Sequence, residues 1–167
     1  MKIGLLFSFC LLSIASFSQK HNPYAALKFD KVVMYDFEPS GDKGGSIVEA
    51  NGQLTKHVSK QVRLDRTAIL QLNQRLGNKV SFNWGTAACF DPHLGFVYYQ
   101  GKKIIGYITI CIDCNILSAN LKLPAQTRSK EGEDATGMSK SFRHFLNLLL
   151  KKYKFSHQVP LGSGFDE

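Results

Sequence analysis

Three cysteines and one histidine are the residues of this chain whose types and spacing could carry chemistry. They form the patterns Cys89-x3-His93 and Cys111-x2-Cys114, and a fourth cysteine, Cys10, lies far upstream. Thiolate and imidazole are the ligands that tetrahedral Zn²⁺ takes, and they also suit copper. A C-x-x-C pair is typical of thiol–disulfide catalysts as well. These residues therefore admit three interpretations: a Zn or Cu site, a redox pair, or a structural disulfide.

A β-hairpin is predicted between the two cysteine patterns. Residues 94–99 and 104–112 are dense in β-branched and aromatic side chains, and the short sequence QGK joins them. Since a hairpin fixes which residues face each other across its strands, its turn decides which thiols can meet.

Two turns are possible, and each gives a different neighbour for Cys89. A two-residue turn at Gly101-Lys102 places Cys89 directly opposite Cys114, at a Cα separation that a disulfide accepts. A turn one residue earlier, at Gln100-Gly101, brings both Cys111 and Cys114 near Cys89, but neither of them stands directly opposite it. The expected disulfide therefore joins Cys89 to Cys114, with Cys111 as the alternative partner.

A bridge between Cys111 and Cys114 needs the chain to turn between them. In an extended strand, residues three apart stand roughly 10 Å from each other, beyond the reach of a disulfide. Strand parity groups Cys114 with the isoleucines at 104, 108, 110 and 112 on the more apolar face and places Cys111 on the other face. Ile104 and Ile108 are thus expected to share a face. Cys111 is therefore expected to be the free or reactive thiol.

The amino-terminal residues predict export. A basic residue is followed by a short apolar run, and Ser16 and Ser18 stand at the minus-three and minus-one positions of a cleavage site. Residues 1–18 are expected to be a signal peptide that removes Cys10. Residues 19–167 would then form the mature protein, periplasmic or secreted, with no transmembrane segment after cleavage.

Length and charge restrict the class of partner. About 149 residues remain after cleavage, enough for one domain with its own core. The formal charge of +8, or +7 without Lys2, favours anionic surfaces in general. Export and the lack of any common nucleic-acid module argue against a nucleic-acid partner. Three cysteines in an oxidising compartment predict one disulfide and one remaining thiol.

The early part of the mature chain is expected to form strands. Residues 31–37 are rich in β-branched and aromatic side chains, and two short extended runs flank Asn51-Gly52, a dipeptide typical of a type I′ turn. Two carboxylates, Asp36 and Glu38, stand two residues apart at the end of the first strand. They are interpreted as an acid pair or as ordinary surface groups.

Two helices are predicted after these strands. Asp65 is suited to cap a helix that ends at Leu76, with Gly77 as a left-handed C-cap, and Ser139 is suited to cap an amphipathic helix near the carboxyl end. Residues 124–138 carry almost no apolar side chains and predict a long flexible surface loop; the tail at about 158–167 is also expected to be flexible. The predicted fold is a single α+β domain: a mainly antiparallel sheet with two principal helices packed on one face.

Three segments of the chain support a resemblance to known proteins: CFDPHLGFVYY, YITICIDCN and GMSKSFRHFL. Over roughly residues 60–155 the chain resembles a group of small exported proteins of Gram-negative bacteria whose function is unassigned. The resemblance implies export and the cysteine hairpin, and it implies no chemistry.

No hydrolase or phosphate-binding motif occurs in the chain. The predicted function is therefore an exported, disulfide-stabilised binding protein of the cell envelope without a cofactor, of the inhibitor or immunity type. The partner would be a protein or envelope component. The alternative is a thiol-redox or Zn- or Cu-binding periplasmic protein that uses Cys89, His93, Cys111 and Cys114.

Overall fold

A computed structural model of the chain describes residues 22–39, 45–126 and 135–157. The predicted signal peptide, the tail at 158–167 and the central part of the predicted surface loop lie outside these ranges. Within them, no helix is long and apolar enough to cross a membrane.

A seven-stranded antiparallel sheet organises the described residues. Its order is β2-β1-β4-β5-β6-β7-β3, and three α-helices and one short 3-10 helix accompany it, which confirms the predicted α+β class. The strands are β1 Lys31–Phe37, β2 Val58–Arg63, β3 Phe82–Asn83, β4 Leu94–Gln100, β5 Lys103–Cys111, β6 Ile116–Ala119 and β7 Gly137–Met138. The helices are α1 Pro23–Ala26, α2 Arg66–Leu76 and α3 Lys140–Lys152, with the 3-10 helix at Lys79–Ser81.

The hairpin of β4 and β5 turns at the first of the two predicted positions. Gln100 pairs with Lys103, so that Gly101 and Lys102 form the two-residue turn. Gly101 has a φ of +58°, a left-handed conformation that glycine adopts without steric cost.

A β-bulge then shifts the register of this hairpin by one residue. Tyr99 pairs with Ile104, whereas Tyr98 pairs with Gly106, so one residue of β5 is left without a partner. As a result Ile104 and Ile108 pack on opposite faces of the sheet. The prediction that these two isoleucines share a face is therefore wrong.

Helix α2 packs on the sheet as predicted, but it ends differently. It begins after Asp65, whose carboxylate accepts a hydrogen bond from Ala68 N at 2.9 Å. Gly77 has a φ of −89°, so the predicted left-handed C-cap is wrong. A Cβ atom at this position would lie 3.1 Å from the Cβ of Asn22, so a larger residue would require a small shift of Asn22.

Helix α3 also packs on this face of the sheet. Ser139 caps it by accepting from Phe142 N at 3.4 Å, as predicted. Its apolar side chains join those of α2 and the strands in one core. The buried residues that α3 contributes to this core are Phe142, Phe145, Leu146, Leu149 and Leu150.

A smaller apolar cluster covers the other face of the sheet. Ile47 and Val48 lie over side chains of β1 and β4, and Val48 forms an isolated bridge with Leu54. Asn51 is not in the left-handed region, and only Gly52 has a positive φ, at +78°, so the predicted type I′ turn is wrong. Strand β2, which follows this segment, was not predicted, because Val58 and Val62 are its only apolar residues.

The predicted surface loop at 124–138 does not extend to its carboxyl end. Ala125 and Ala135 are buried, and Gly137–Met138 forms β7 inside the sheet. Met138 is fully buried. Few apolar residues are needed here because β7 is only two residues long and pairs with two neighbouring strands.

Candidate functional site

The cysteine group consists of Cys89, Cys111 and Cys114. Cys89 and Cys114 form a disulfide with a Cα separation of 5.8 Å, and Cys111 is a free, buried cysteine. Cys89 precedes the start of β4 at Leu94, and Cys114 follows the end of β5. The two residues therefore meet outside the paired strands, and the predicted cross-strand position is not what joins them.

A turn after β5 brings the third cysteine to the disulfide. Residues 112–115 form this turn, so Cys111 and Cys114 are not separated as in an extended strand. The three Sγ atoms lie within 4.8 Å of one another. The amide of Cys114 donates a hydrogen bond to Cys111 Sγ at 3.3 Å. The assumption that the strand continues through Cys114 is therefore wrong.

Asn115 holds this turn in place. Its φ is +55°, in the left-handed region that asparagine tolerates better than most residues. Its side-chain amide donates to Gly85 O at 2.7 Å and to Met138 O at 3.1 Å, and its Oδ1 accepts from Met138 N at 3.3 Å. One buried side chain therefore connects the turn to β7 and to the segment that leads to Cys89.

The chemistry of the cysteine group depends on burial. Desolvation raises the pKa of the Cys111 thiol above its usual range, and hydrogen bonds from the amides of Asp91 and Cys114 oppose this shift only in part. Because the thiolate is the reactive species, Cys111 is disfavoured as a nucleophile. Cys89 is exposed and Cys114 is buried, so an external thiol reaches the disulfide from the Cys89 side.

The four predicted metal ligands do not form one group. Cys89, Cys111 and Cys114 lie together, whereas His93 lies with Glu38 and His157 in a second group, called here the histidine group. The predicted four-ligand set is therefore divided between two places in the fold.

Two stacked imidazole rings form the centre of the histidine group. The rings of His93 and His157 lie 4.8 Å apart between centroids, with an interplanar angle of 17°. His93 Nδ1 lies 3.2 Å from Phe37 O and 3.4 Å from a Glu38 carboxylate oxygen, and its Nε2 lies 3.5 Å from Asp91. His93 is thus held between strand β1 and the segment before β4.

The predicted acid pair is shared between the two histidines. Asp36 is buried and interacts with His157 Nδ1 at 2.9 Å, and Ser156 Oγ donates to the same carboxylate at 3.4 Å. Glu38, in contrast, is exposed and contacts His93. His157 could not be recognised from local sequence, because it is 121 residues away from Asp36, the carboxylate that it contacts.

A groove lies between α2, the start of β1 and the end of β2. Its volume is about 470 Å³. The apolar side chains of Phe29, Ile69 and Leu70 line it, and Leu70 is 56 % exposed. The other lining residues are Ala25, Asp30, Lys31, Arg63, Leu64, Arg66 and Asn73. Two of these, Arg63 and Arg66, offer cations to the groove, whereas the ammonium of Lys31 lies over the Tyr99 ring at 4.9 Å.

No family model, curated protein or solved structure matches this chain. The resemblance to exported Gram-negative proteins therefore stays a prediction. The geometry of the groove, the cysteine group and the histidine group carries the functional inference.

Proposed function

We propose that the mature protein is an exported binding protein of the cell envelope. Its groove takes an acidic segment of a partner protein, and the Cys89–Cys114 disulfide stabilises the domain that presents the groove. The observation that carries this proposal is the pair of cations Arg63 and Arg66 beside an apolar lining. An inhibitor or immunity-type protein is one form that such binding takes.

The charges around the groove favour an anionic ligand. Asp30, the one acidic residue among the lining residues, already accepts a hydrogen bond from the amide of Gly101. The guanidinium of Arg63 uses one donor on Asp30 O at 3.2 Å, which leaves further donors for a carboxylate. Complementary charge of this kind raises association rates and selects among partners.

The size and lining of the groove favour a short peptide segment. About 470 Å³ lies within the range of roughly 300–1,000 Å³ that is typical of ligand sites. The half-buried Phe29 and Ile69 and the exposed Leu70 offer a place for an apolar side chain between the cations. The expected ligand segment therefore has acidic residues on either side of an apolar one.

Export is supported by the cysteine chemistry. A disulfide persists in an oxidising compartment and is rare where thiols are kept reduced. Because Cys89 is an exposed residue, its disulfide would be open to exchange with thiols in the reducing cytosol. Periplasmic or secreted localisation is therefore part of the proposal.

Charge-reversal variants test the groove directly. Labelled nine-residue peptides that alternate acidic and apolar residues are titrated into the mature chain and followed by fluorescence anisotropy, with amide-containing peptides as the matched control. We expect Arg63→Glu with Arg66→Glu to weaken binding far more than Lys56→Glu with Lys151→Glu, which reverses the same charge at exposed residues outside the groove lining. Equal losses in both variants, or equal binding of acidic and amide peptides, would refute the proposal.

One observation favours the second candidate function, a thiol-redox or metal-binding role for the cysteine group. The three Sγ atoms lie within 4.8 Å, so reduction of the disulfide would leave three thiols able to hold Zn²⁺ or copper. The two roles are distinguished on protein purified from the cell envelope. Its intact mass is measured before and after reduction and alkylation, and its metal content is analysed. One disulfide with an unreactive thiol supports the binding protein, and bound metal or a Cys111–Cys114 bridge supports the alternative.

A further inference from the structure

We infer that the histidine group binds a divalent transition-metal ion of the class that prefers imidazole, such as Zn²⁺. Its ligands would be His93, His157 and Glu38, whose ligand atoms all lie within 4.8 Å of one another. Two imidazoles and a carboxylate are a ligand set that Zn²⁺ uses where a further position stays open for water or another ligand. The histidine group shares no residue with the groove.

The partners of His157 support this assignment. Its Nδ1 lies 2.9 Å from a carboxylate oxygen of Asp36, which is buried within strand β1. An Nδ1–H donated to that carboxylate fixes the tautomer in which Nε2 carries the free lone pair. Metal-binding histidines are commonly held in this way by a carboxylate behind the ring. Asp36 is thus the positioning residue of the site.

The partners of His93 follow the same pattern. Its Nδ1 lies 3.2 Å from the carbonyl oxygen of Phe37, which can only accept a hydrogen bond. Donation to this carbonyl leaves Nε2 free, and the carboxylate of Asp91 lies 3.5 Å from that nitrogen. The ligand atoms that lie within 4.8 Å of one another do not include Asp91, so its carboxylate lies beside the three-ligand set rather than in it.

Charge and access also favour a cation at this place. Three carboxylates, those of Asp36, Glu38 and Asp91, surround two imidazoles. A divalent ion would offset the repulsion between these carboxylates. The side chains of Glu38 and Asp91 are 65 % and 67 % exposed, so an ion reaches the group from solvent.

The present geometry of the histidine group sets two requirements for binding. The two rings are nearly parallel, at 17°, and lone pairs in parallel planes do not converge on one ion. Convergence requires a rotation of the His157 ring, whose side chain is 41 % exposed. It also requires the exposed Glu38 carboxylate, which lies 3.4 Å from His93 Nδ1, to move toward the Nε2 side of that ring. A stacked, hydrogen-bonded histidine pair without metal affinity is the competing explanation, and the experiment must separate the two.

Zinc titration of the tag-free mature chain with its disulfide intact tests the inference. A chromophoric chelator competes with the protein for Zn²⁺ and reports affinity and stoichiometry. We expect one ion per chain and loss of this site in both His93→Ala and His157→Ala. Asp36→Asn should lower the affinity by roughly 10- to 100-fold, the usual effect of removing a carboxylate behind a metal-binding histidine. The matched control, His144→Ala, alters an exposed histidine on α3 and should bind as the unmodified protein does.

Thermal unfolding with and without Zn²⁺ provides a second measurement that also checks folding. Zn²⁺ should raise the melting temperature of the unmodified chain and of His144→Ala, but not that of His157→Ala. Unchanged Zn²⁺ affinity in the His93→Ala, His157→Ala double variant would overturn the inference. Absence of stoichiometric binding to the unmodified chain, or an equal loss in His144→Ala, would overturn it as well.

Discussion

Removal of the Cys89–Cys114 disulfide should destabilise the fold by an amount that follows from its loop. The two cysteines are 25 residues apart in sequence. Loop-closure entropy for that separation corresponds to about 3.5 kcal/mol at 25 °C, within the usual range of disulfide contributions. For a chain of this size the same loss lowers the melting temperature by roughly 7 to 14 °C.

The assay must prevent Cys111 from replacing a missing partner. All three Sγ atoms lie within 4.8 Å, so a chain that lacks Cys89 or Cys114 alone retains two neighbouring cysteines that can pair. The comparison is therefore between Cys111→Ala in its oxidised form and the triple alanine variant of the cysteine group. Urea unfolding followed by circular dichroism gives the free energy of unfolding for each.

A difference of about 3.5 kcal/mol between these two proteins is the expected result. Single variants, Cys89→Ala and Cys114→Ala, should lose less stability, because a bridge to Cys111 closes a loop in each. Peptide mapping by mass spectrometry should find that bridge. A difference below about 1 kcal/mol between oxidised Cys111→Ala and the triple variant would refute the idea that the disulfide stabilises the fold.

Three further predictions concern single residues. Cys111 should resist iodoacetamide at pH 8 in the native protein and react fully once unfolded, because it is fully buried and burial raises its thiol pKa; native labelling measured by mass would contradict this. The pKa of Asp65 is lowered, chiefly by its hydrogen bond from Lys152, so the charged carboxylate stabilises the fold at pH values above the pKa of an unperturbed carboxyl group. The gap in melting temperature between the unmodified chain and Asp65→Asn should therefore narrow as the pH falls below about 4, and a constant gap would contradict this. Asn115→Ala should lower the free energy of unfolding, measured in urea, by about 3 kcal/mol, because it removes three hydrogen bonds and disfavours the positive φ. Asn115→Gly should cost about 1 kcal/mol less, because glycine adopts the positive φ without strain but makes none of the three hydrogen bonds. Equal losses in the two variants would show that the backbone conformation contributes nothing.

Features determined by neighbouring residues were predictable from the sequence. The turn at Gly101-Lys102 and the helix caps at Asp65 and Ser139 depend on local propensities. The apolar spacing of both long helices also indicated the face that each one buries.

Features determined by distant contacts were not predictable. Asn115 adopts its turn because it bonds to Gly85 and to Met138, which lie 30 and 23 residues away in sequence. Strand β7 is too short to have a periodic pattern, and it forms because both of its edges are paired. The contact between His157 and Asp36 joins residues 121 apart in sequence.

Binding of an acidic peptide in the groove beside Arg63 and Arg66 can be measured residue by residue. Amide chemical shifts of the ¹⁵N-labelled mature chain are recorded while the acidic peptides are added. We expect saturable shift changes that concentrate on residues of the groove, such as Arg63 and Leu70, and that weaken as salt is added. Absence of shift changes, or changes of equal size around exposed lysines such as Lys151, would contradict it.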